Sequence, residues 1–152
     1  MPDLVADWVR VSSFVAEVDA GLGTWLAEHH GLALTEYRAL GHLGAMPDKE
    51  LRISELARRI GLNQSSVTRL LGRLEAKHLT RRETCFEDGR GVYAVITEAG
   101  EALLDRAREP FEDQIQQILG PAREHARAAD VLAAAQALDR VGARLSSSSG
   151  DG

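Results

Sequence analysis

The chain of 152 residues is long enough to bury one hydrophobic core and is most simply a single domain. Its composition, with 44% apolar and 27% charged residues, is that of a globular protein and excludes a disordered chain. One cysteine excludes an internal disulfide, and the sequence has neither a secretory pattern nor an apolar run of roughly 20 residues, so we expect a cytoplasmic protein without membrane contacts.

The distribution of charge is informative because a net charge of −5 is unusual for a protein that binds nucleic acid. Residues 51–90 carry nine basic and five acidic side chains, a balance of +4, which leaves −9 for the rest of the chain. A basic segment on an acidic body can bind DNA locally while the far side of the protein repels it. Arg58 and Arg59 individually could instead do no more than solvate a helix surface.

A helix is predicted near the N-terminus, over about residues 4–30. Its apolar residues recur at alternating intervals of four and three, the spacing of a helix that packs along another helix. Trp8 and Trp25 could line a ligand pocket or could contribute core and dimer contacts. The run from His29 to Gly31 is typical of a helix C-terminus. The apolar residues with this spacing are Leu4, Trp8, Val11, Val15, Val18, Leu22 and Trp25.

A second helix is predicted to follow and to end near Pro47, with Tyr37, Leu40 and Leu43 facing inward. Residues 51–53 are then long enough for one short strand. This strand could add a third member to a hairpin that is predicted further along the chain.

Two short helices separated by a glycine-containing turn come next. Ser54 is a suitable N-cap for the first helix, Gly61 lies where its C-terminus favours a left-handed residue, and Asn63 caps the second helix. The second helix has one apolar stripe at i, i+3, i+4 and i+7 and an opposite polar face. Such a pair, with a turn of about 3–4 residues, is typical of proteins that read DNA. The stripe is Val67, Leu70, Leu71 and Leu74, and the polar face is Gln64, Ser65, Ser66, Thr68, Arg69 and Arg73.

A β-hairpin is predicted after this helix pair, from strands over about residues 79–86 and 92–97. The run from Glu87 to Gly91 forms its turn through an Asp-Gly pair. Arg90, at the tip of the projecting hairpin, is suited to the minor groove of DNA, where negative potential concentrates. Asp88 could hold Arg90 in place through a charge-assisted hydrogen bond. The alternative interpretation is an ordinary solvated turn.

Two further helices are predicted at the C-terminus. Thr97 should cap the first of them. Pro110 should kink or interrupt this helix, and Gly120-Pro121 should end it. A last helix is expected from Ala122 to about Leu145, followed by a tail over residues 146–152 that is disordered by composition. Both ends of the chain therefore carry more apolar helix surface than a small winged domain can bury, which predicts a helical dimer platform.

In their order and spacing, these motifs resemble the multiple-antibiotic-resistance regulator (MarR) family, over roughly residues 34–104. The resemblance implies a homodimeric transcriptional regulator that binds double-stranded DNA. Such regulators are often repressors released by a small phenolic or other ligand, by a metal or by oxidation. The runs that carry the resemblance are Leu34–Leu40, Ser54–Ala57, Val67–Leu70, Leu74–Glu75, Leu79–Arg82, Asp88–Arg90 and Ile96–Gly100.

The resemblance also implies roles for single residues. Arg90 matches the arginine of the wing, and Asp88 matches its partner. His78 stands where the family pattern usually has glycine, so it must tolerate or avoid a positive φ angle. The residues that match the major-groove readers are Gln64, Ser65, Ser66, Thr68 and Arg69, and we expect phosphate contacts from Arg73 and from Arg81 or Arg82.

The expected fold is mainly α with a small β-hairpin wing. A winged helix-turn-helix core over about residues 34–100 would lie between dimerisation helices over about residues 4–30 and 98–145, in one domain spanning residues 1–145. In a two-fold dimer the reading helices would meet half-sites about one helical turn (roughly 10 bp) apart, on a near-palindromic operator. A small effector bound between the terminal helices and the core would change that spacing. The effector candidates are Trp8, Trp25, Arg38 and His42.

Other classes of function remain open at this point. Oxidation of Cys85 on the hairpin could move the wing, although the acidic residues nearby disfavour a reactive thiolate. No catalytic motif or phosphate loop is present, so we expect neither an enzyme nor a cofactor. A protein-interaction module that keeps the winged fold without binding DNA is a further alternative. No His-x-x-x-His or Cys-x-x-Cys spacing supports a metal site, which leaves only the scattered ligands His29, His30, Glu36 and His42.

Overall fold

The computed structural model describes residues 3–85, 91–124 and 127–148. Its helices are α1 (Leu4–His30), α2 (Leu34–Gly44), α3 (Ile53–Ile60), α4 (Gln64–Ala76), α5 (Glu98–Glu124) and α6 (Arg127–Ser148). Its strands are β1 (Glu50–Arg52), β2 (Thr80–Cys85) and β3 (Gly91–Ile96), which form one antiparallel sheet in the order β1-β3-β2. The predicted fold class, mainly α with a small β-sheet, is confirmed.

The chain separates into two compact units. The first consists of Met1–Trp25 together with Glu112–Gly152, and the second of Leu26–Phe111. The second unit contains α2, α3, α4 and the whole sheet, in the order of helices and strands that the sequence predicts. It also contains the N-terminal part of α5.

The core of the second unit is organised around one face of α4. The stripe predicted from spacing is buried, with each of its four side chains at most 1% exposed. These side chains pack in one cluster with leucines from α2 and α3. Burying each one stabilises the fold by about 1.5–3 kcal/mol. The stripe is Val67, Leu70, Leu71 and Leu74, and the leucines beside it are Leu40, Leu43 and Leu56.

The turn between α3 and α4 has the two conformational features that the sequence predicts. Gly61 ends α3 with a φ of 75°, in the left-handed region that favours glycine. Asn63 then caps α4, since its side-chain oxygen accepts a hydrogen bond of 2.8 Å from the backbone N–H of Ser66. Both predictions are confirmed, and together they set where the polar face of α4 begins.

The start of α3 differs from the prediction. The helix begins at Ile53, and Arg52 occupies the N-cap position without a side-chain hydrogen bond to the first turn. The prediction that Ser54 caps this helix is therefore wrong. The reason is that β1 leads directly into α3, so the backbone is extended only as far as Arg52 and Ser54 already lies within the helix.

The short strand β1 supplies the predicted third strand of the hairpin. Leu51 of β1 lies opposite Ala94 of β3, and Arg82 of β2 lies opposite the same Ala94 from the other side. Leu51 and Ala94 are both buried in the core of the second unit. The wing, which is the hairpin of β2 and β3, is therefore fixed at its base to the core of the second unit through β1.

Helix α5 begins as predicted but ends later. Thr97 caps it by accepting a 3.1 Å hydrogen bond from the N–H of Gly100. Of the two outcomes expected at Pro110, a kink or an interruption, the interruption is wrong, because the helix continues to Glu124. The expected end at Gly120-Pro121 is wrong for the same reason. A proline removes one backbone hydrogen bond, and at the exposed Pro110 water can satisfy the carbonyl that loses its partner.

In the first unit, α1 is joined to α6 by a buried ion pair. Asp7 is only 4% exposed and accepts two hydrogen bonds of 2.7 Å from the guanidinium of Arg140. The hydrogen bond from Arg140 outweighs the effect of burial and lowers the pKa of Asp7. Val11 packs nearby against Ala134 and Ala137. Asp7 lies between two apolar positions of α1, Leu4 and Trp8, and its burial is possible because Arg140 of α6 compensates its charge.

Helix α6 begins at Arg127, later than the predicted Ala122, and extends to Ser148. It therefore includes the first three residues of the predicted tail. Residues 149–152 lie outside the described part of the chain.

The connection from α4 to β2 passes through His78, which has a φ of 60°. This is the position where the family pattern usually has glycine, and the backbone keeps the conformation that glycine favours. The carbonyl of His78 accepts a hydrogen bond of 2.7 Å from the hydroxyl of Thr97, and the His78 side chain is exposed. The histidine therefore adopts a strained conformation that the neighbouring contacts maintain.

We expect His78→Gly to raise the free energy of unfolding by about 1 kcal/mol, because it removes the clash of Cβ with the backbone at positive φ. The matched control is His42→Gly within α2, which should lower the free energy of unfolding by about 1 kcal/mol, as glycine does in an ordinary helix. Urea denaturation measures both. A His78→Gly protein no more stable than the parent would contradict the assigned strain.

Candidate nucleic-acid interface

The exposed face of α4 presents two kinds of polar side chain: those that make hydrogen bonds within the protein and those that make none to a described residue. The hydroxyl of Ser65 donates to the side-chain oxygen of Asn63 at 2.9 Å, and the hydroxyl of Thr68 donates to the carbonyl of Gln64 at 2.9 Å. The side chains of Gln64 and Arg69 make no hydrogen bond or ion pair with any residue that the structure describes. These two groups are therefore available to a ligand without breaking a contact to any described residue.

The chemistry of this face suits base edges in a major groove. A glutamine side chain can pair in bidentate fashion with adenine, and an arginine with guanine. Serine and threonine hydroxyls can contact either kind of base or a phosphate. The predicted readers Gln64, Ser65, Ser66, Thr68 and Arg69 all lie on α4, and all but the half-buried Ser66 are exposed.

Arg73, predicted to contact a phosphate, is also bound within the protein. Its Nε donates to a carboxylate oxygen of Glu36 at 3.0 Å, while its side chain remains 54% exposed. It lies four residues after Arg69, so the two arginines are neighbours along one side of α4. The guanidinium is thus accessible but held in orientation.

The structure separates Arg81 from Arg82. They are consecutive in β2, so their side chains leave opposite faces of the sheet. Arg81 donates to Glu83 at 2.8 Å in an exposed pair. Arg82 instead contacts α4: its Nε lies 2.6 Å from a carboxylate oxygen of Glu75, and its Nη2 donates to the carbonyl of Thr68 at 3.3 Å. Arg82 therefore connects β2 to α4.

The tip of the wing, with Asp88 and Arg90, lies outside the described residues, so the predicted bracing of Arg90 has no structural description. The base of the wing carries a feature that the sequence did not single out. Arg52 of β1 lies over the ring of Tyr93, with its guanidinium carbon 5.7 Å from the ring centre, and donates to the tyrosine hydroxyl at 3.2 Å. Gly91 passes close to both groups, since a Cβ there would lie 3.1–3.3 Å from them.

A cleft of about 310 Å³ lies between α4 and the base of the wing. It brings together the two guanidinium groups of Arg52 and Arg82 with the polar side chains of Ser54, Gln64 and Thr68. Cationic and hydroxyl groups in one cleft are suited to a sugar–phosphate backbone. Arg52 was missed because its role depends on β1 joining the sheet beside β3, which puts it near residues some forty positions away.

Glu36 is the carboxylate most closely associated with this face. It is 2% exposed, and its two oxygens accept from Arg73, from Lys77 at 2.6 Å and from the backbone N–H of Ala33 at 3.1 Å. Burial alone would raise the pKa of Glu36, but the hydrogen bonds from Lys77, Ala33 and Arg73 outweigh burial and lower it. Glu36 is thus a charged group at neutral pH, with its charge compensated by two cations.

Since the pKa of Glu36 is lower in the folded than in the unfolded protein, its ionisation stabilises the fold above the unfolded pKa of about 4.3. This contribution is lost as the pH falls through the folded pKa. We therefore expect the difference in melting temperature between the parent and Glu36→Gln to be largest near neutral pH and to shrink below about pH 4. Thermal unfolding across this range measures the difference. A difference in melting temperature that stays constant with pH would contradict the conclusion that ionised Glu36 stabilises the fold.

The predicted effector candidates are distributed over both units. Trp8 is 57% exposed and Trp25 half-buried, both in the first unit, whereas Arg38 is exposed and His42 half-buried on α2 of the second. A pocket of about 300 Å³ in the second unit is lined by neither Arg38 nor His42. Its lining includes Tyr37, Lys49, Glu101, Leu104 and Arg108.

The pocket between α2 and α5 combines an aromatic wall with charged groups. The ring of Tyr37 packs against Phe111 with 4.4 Å between centroids, and burial raises the pKa of Tyr37. The Nζ of Lys49 donates to the carbonyl of Gly44 at 2.7 Å and lies 3.3 Å from Glu101. Arg108 is exposed at the pocket. Sequence patterns could not find this site, because its residues come from distant segments.

The described residues contain no group of three or more histidine, cysteine, aspartate or glutamate side chains placed to bind a metal ion. Of the scattered ligands considered from sequence, Glu36 has both oxygens engaged by nitrogen donors. The side chain of Cys85 is outside the described part of the chain.

Across the described residues, every helix is too short or too polar to cross a lipid bilayer.

Comparison with known proteins gives a consistent result. The model of a family described as the MarR family matches residues 30–91, which include the helix pair and most of the wing. A MarR family transcriptional regulator from Streptomyces coelicolor, solved in complex with DNA, is similar over 89% of this chain and 84% of its own, with 25% identity and a TM-score of 0.72.

Two further structures extend the comparison. AbsC, a MarR family transcriptional regulator from Streptomyces coelicolor, is 25% identical over 89% of this chain and 91% of its own, with a TM-score of 0.64. The transcriptional regulator BldR from Sulfolobus solfataricus is 22% identical over 95% of this chain and 99% of its own, with a TM-score of 0.68, and so shares the fold. The similarity therefore includes both units of the chain, although the family model covers only the second.

Proposed function

We propose that this chain, which belongs to the MarR family of transcriptional regulators, binds double-stranded DNA as a homodimer and represses transcription until a small ligand releases it. The observation that carries the proposal is the exposed face of α4, on which Gln64 and Arg69 have no partner among the described residues. The similar regulator from Streptomyces coelicolor that was solved with DNA supports it. Such a protein acts where the genome is, in the cytoplasm, and is not an enzyme.

The proposed contacts divide into base readers and backbone contacts. Gln64, Ser65, Ser66, Thr68 and Arg69 would face bases in the major groove, because they share the exposed side of α4. Arg90 at the tip of the wing would enter the minor groove, with Asp88 as its partner. Backbone phosphates would lie near Arg73 and in the cleft between α4 and the wing, where Arg82 and the newly identified Arg52 place positive charge.

We expect Arg69→Ala and Arg90→Ala each to weaken binding to an operator selected from random duplexes by about 1–3 kcal/mol, without changing the oligomeric state. Arg58→Ala is the matched control. It removes the same charge from α3, but Arg58 is already paired with Glu55 at 2.6 Å, so operator affinity should change by no more than about 0.5 kcal/mol.

Fluorescence anisotropy at fixed salt measures these affinities. Equal affinities for the parent and both arginine variants would contradict the proposed interface. Failure of the parent protein to enrich any DNA sequence would overturn DNA binding itself.

The proposal of a homodimer rests on apolar side chains that the described chain leaves uncovered. Seven large apolar residues of α1 and α6 are each at least 40% exposed. Burying such side chains releases roughly 25 cal/mol per Å² of apolar surface, which favours a partner with the same surface. The seven are Leu4, Val5, Trp8, Val9, Val15, Leu132 and Leu138.

We expect Trp8→Glu to weaken dimerisation at least about thirtyfold, because it replaces a large aromatic contact by a charge that must be desolvated. The matched control is Val92→Glu, which places the same charge on an exposed apolar position of the wing, 40% exposed, and should leave the dimer intact. Sedimentation velocity over a concentration series measures both. A parent protein that is monomeric at micromolar concentration, or a Trp8→Glu protein as tightly dimeric as the parent, would contradict the proposal.

The pocket between α2 and α5 supports the proposal that a small ligand controls DNA binding. Its lining has two cations, Lys49 and Arg108, and two acids, Glu101 and Asp105. Lys49 lies 3.3 Å from Glu101, so Arg108, beside the aromatic Tyr37, is the cation that favours an aromatic carboxylate. We therefore place the ligand in this pocket rather than at Trp8, Trp25, Arg38 or His42, since the pocket has an aromatic and a cationic group in one cavity.

We expect aromatic acids to raise the melting temperature of the parent protein but not of Arg108→Ala. Thermal unfolding with and without the acid measures this, and an equal shift in both proteins would exclude this pocket.

A further inference from the structure

We propose that Glu36 is a positioning residue that fixes the guanidinium of Arg73 toward a DNA phosphate, so that α2 determines the geometry of a backbone contact made by α4. The inference rests on the proposed function, because it presupposes that α4 binds DNA. It concerns a residue that contacts no base itself and that sequence patterns had connected only with metal binding.

The first argument is the burial of a full negative charge beside the proposed interface. Glu36 is 2% exposed and lies in the first turn of α2. An acidic side chain there would repel phosphates unless its charge were compensated. Arg73 of α4 and Lys77, the C-cap residue of that helix, both donate to it, at 3.0 and 2.6 Å. The three side chains together carry a net positive charge, so the arrangement still favours an anion.

The second argument concerns which nitrogen of Arg73 donates the hydrogen bond to Glu36. The guanidinium has five N–H donors in one plane, and Glu36 accepts from Nε. The two Nη groups donate no hydrogen bond to a described residue, and the side chain is 54% exposed. A bond at Nε therefore fixes the plane while it leaves the outer edge, the one that pairs with two phosphate oxygens, available.

The third argument is the contrast with the neighbouring cations, Arg69 on α4 and Lys77 at its C-cap. Arg69 has no partner among the described residues, as expected for a group that must adjust to a base edge. Lys77 is held doubly, by Glu36 and by the carbonyl of Gly31 at 2.8 Å. Arg73 is intermediate, because it has one described partner, Glu36, and its side chain remains exposed. A side chain already held in one orientation loses less rotamer freedom on binding, which favours affinity.

A purely structural role for Glu36, as a connection between α2 and α4, would also fit these distances. The two roles differ in one measurable respect. If Glu36 acts through Arg73, the effect of removing Glu36 on operator binding must vanish when Arg73 is absent. If Glu36 only holds the helices together, its removal must weaken binding whether or not Arg73 is present.

The test is a double-mutant cycle with Glu36→Met, Arg73→Ala and the double variant, measured by anisotropy on an operator selected by the parent protein. Methionine keeps the volume of the side chain and removes both acceptors. We expect Glu36→Met to weaken operator binding by about three- to tenfold and Arg73→Ala by about tenfold. The double variant should bind no more weakly than Arg73→Ala alone.

Controls separate this inference from folding and from the proposed function. Glu55→Met removes a carboxylate that pairs with Arg58 and Arg59 on α3, and should leave operator binding unchanged. If Glu36→Met unfolds below the assay temperature, operator binding by Arg73→Lys is measured instead. Arg73→Lys keeps the charge, but all three of its N–H groups are on one nitrogen. It therefore cannot bind Glu36 and also offer a phosphate the planar pair of donors that two guanidinium nitrogens provide, and we expect it to lose about as much affinity as Arg73→Ala.

Independent losses that add in the double variant, or an unchanged affinity of Glu36→Met, would overturn the positioning role while DNA binding by the parent stands. Full activity of Arg73→Lys would overturn it as well. Absence of any selected operator would instead refute the proposed function on which the inference rests.

Discussion

The burial of one apolar stripe on α4 is the constraint on which the rest of the candidate site depends. Val67, Leu70, Leu71 and Leu74 can all be buried only if the helix takes one rotation about its axis. That rotation places Gln64, Thr68 and Arg69 in solvent. The identity of the outward residues is therefore a consequence of packing, and a change in the apolar spacing would alter which side chains face outward.

Three polar contacts then hold α4 against its neighbours. The Asn63 cap fixes its first turn, Arg82 connects its middle to β2, and Glu36 connects its C-terminal half to α2. The last two of these contacts join α4 to different parts of the second unit. A helix held in this way presents its exposed face with little freedom, which lowers the entropy lost when that face binds a ligand.

The sequence was sufficient to predict the elements whose signals are local. The left-handed Gly61, the Asn63 cap, the Thr97 cap and the buried stripe of α4 each depend on residues within about two helical turns of one another. The third strand was predictable because a short apolar run preceded a helix and lay near a hairpin. The wing tip, with Asp88 and Arg90, lies outside the described residues and stays a prediction.

The features that the sequence did not reveal depend on residues far apart in the chain. Glu36 could not be connected with Arg73 from spacing, because thirty-seven positions separate them. Arg52 and Tyr93 meet only through the pairing of β1 with β3. The predicted interruption and end of α5 at its prolines were wrong for a different reason. A single lost hydrogen bond does not end a helix whose flanking turns remain intact.

The central claim is that the exposed face of α4 reads base edges in the major groove, once in each half of a two-fold dimer. Dimethyl sulfate interference on the selected operator tests it most directly, since the reagent modifies guanine N7 in the major groove and adenine N3 in the minor groove. The account predicts that methylated guanines interfere in two clusters about one helical turn (roughly 10 bp) apart, and that Arg69→Ala loses the dependence on one guanine in each cluster. Interference confined to adenine N3, or a guanine pattern that Arg69→Ala leaves unchanged, would contradict it.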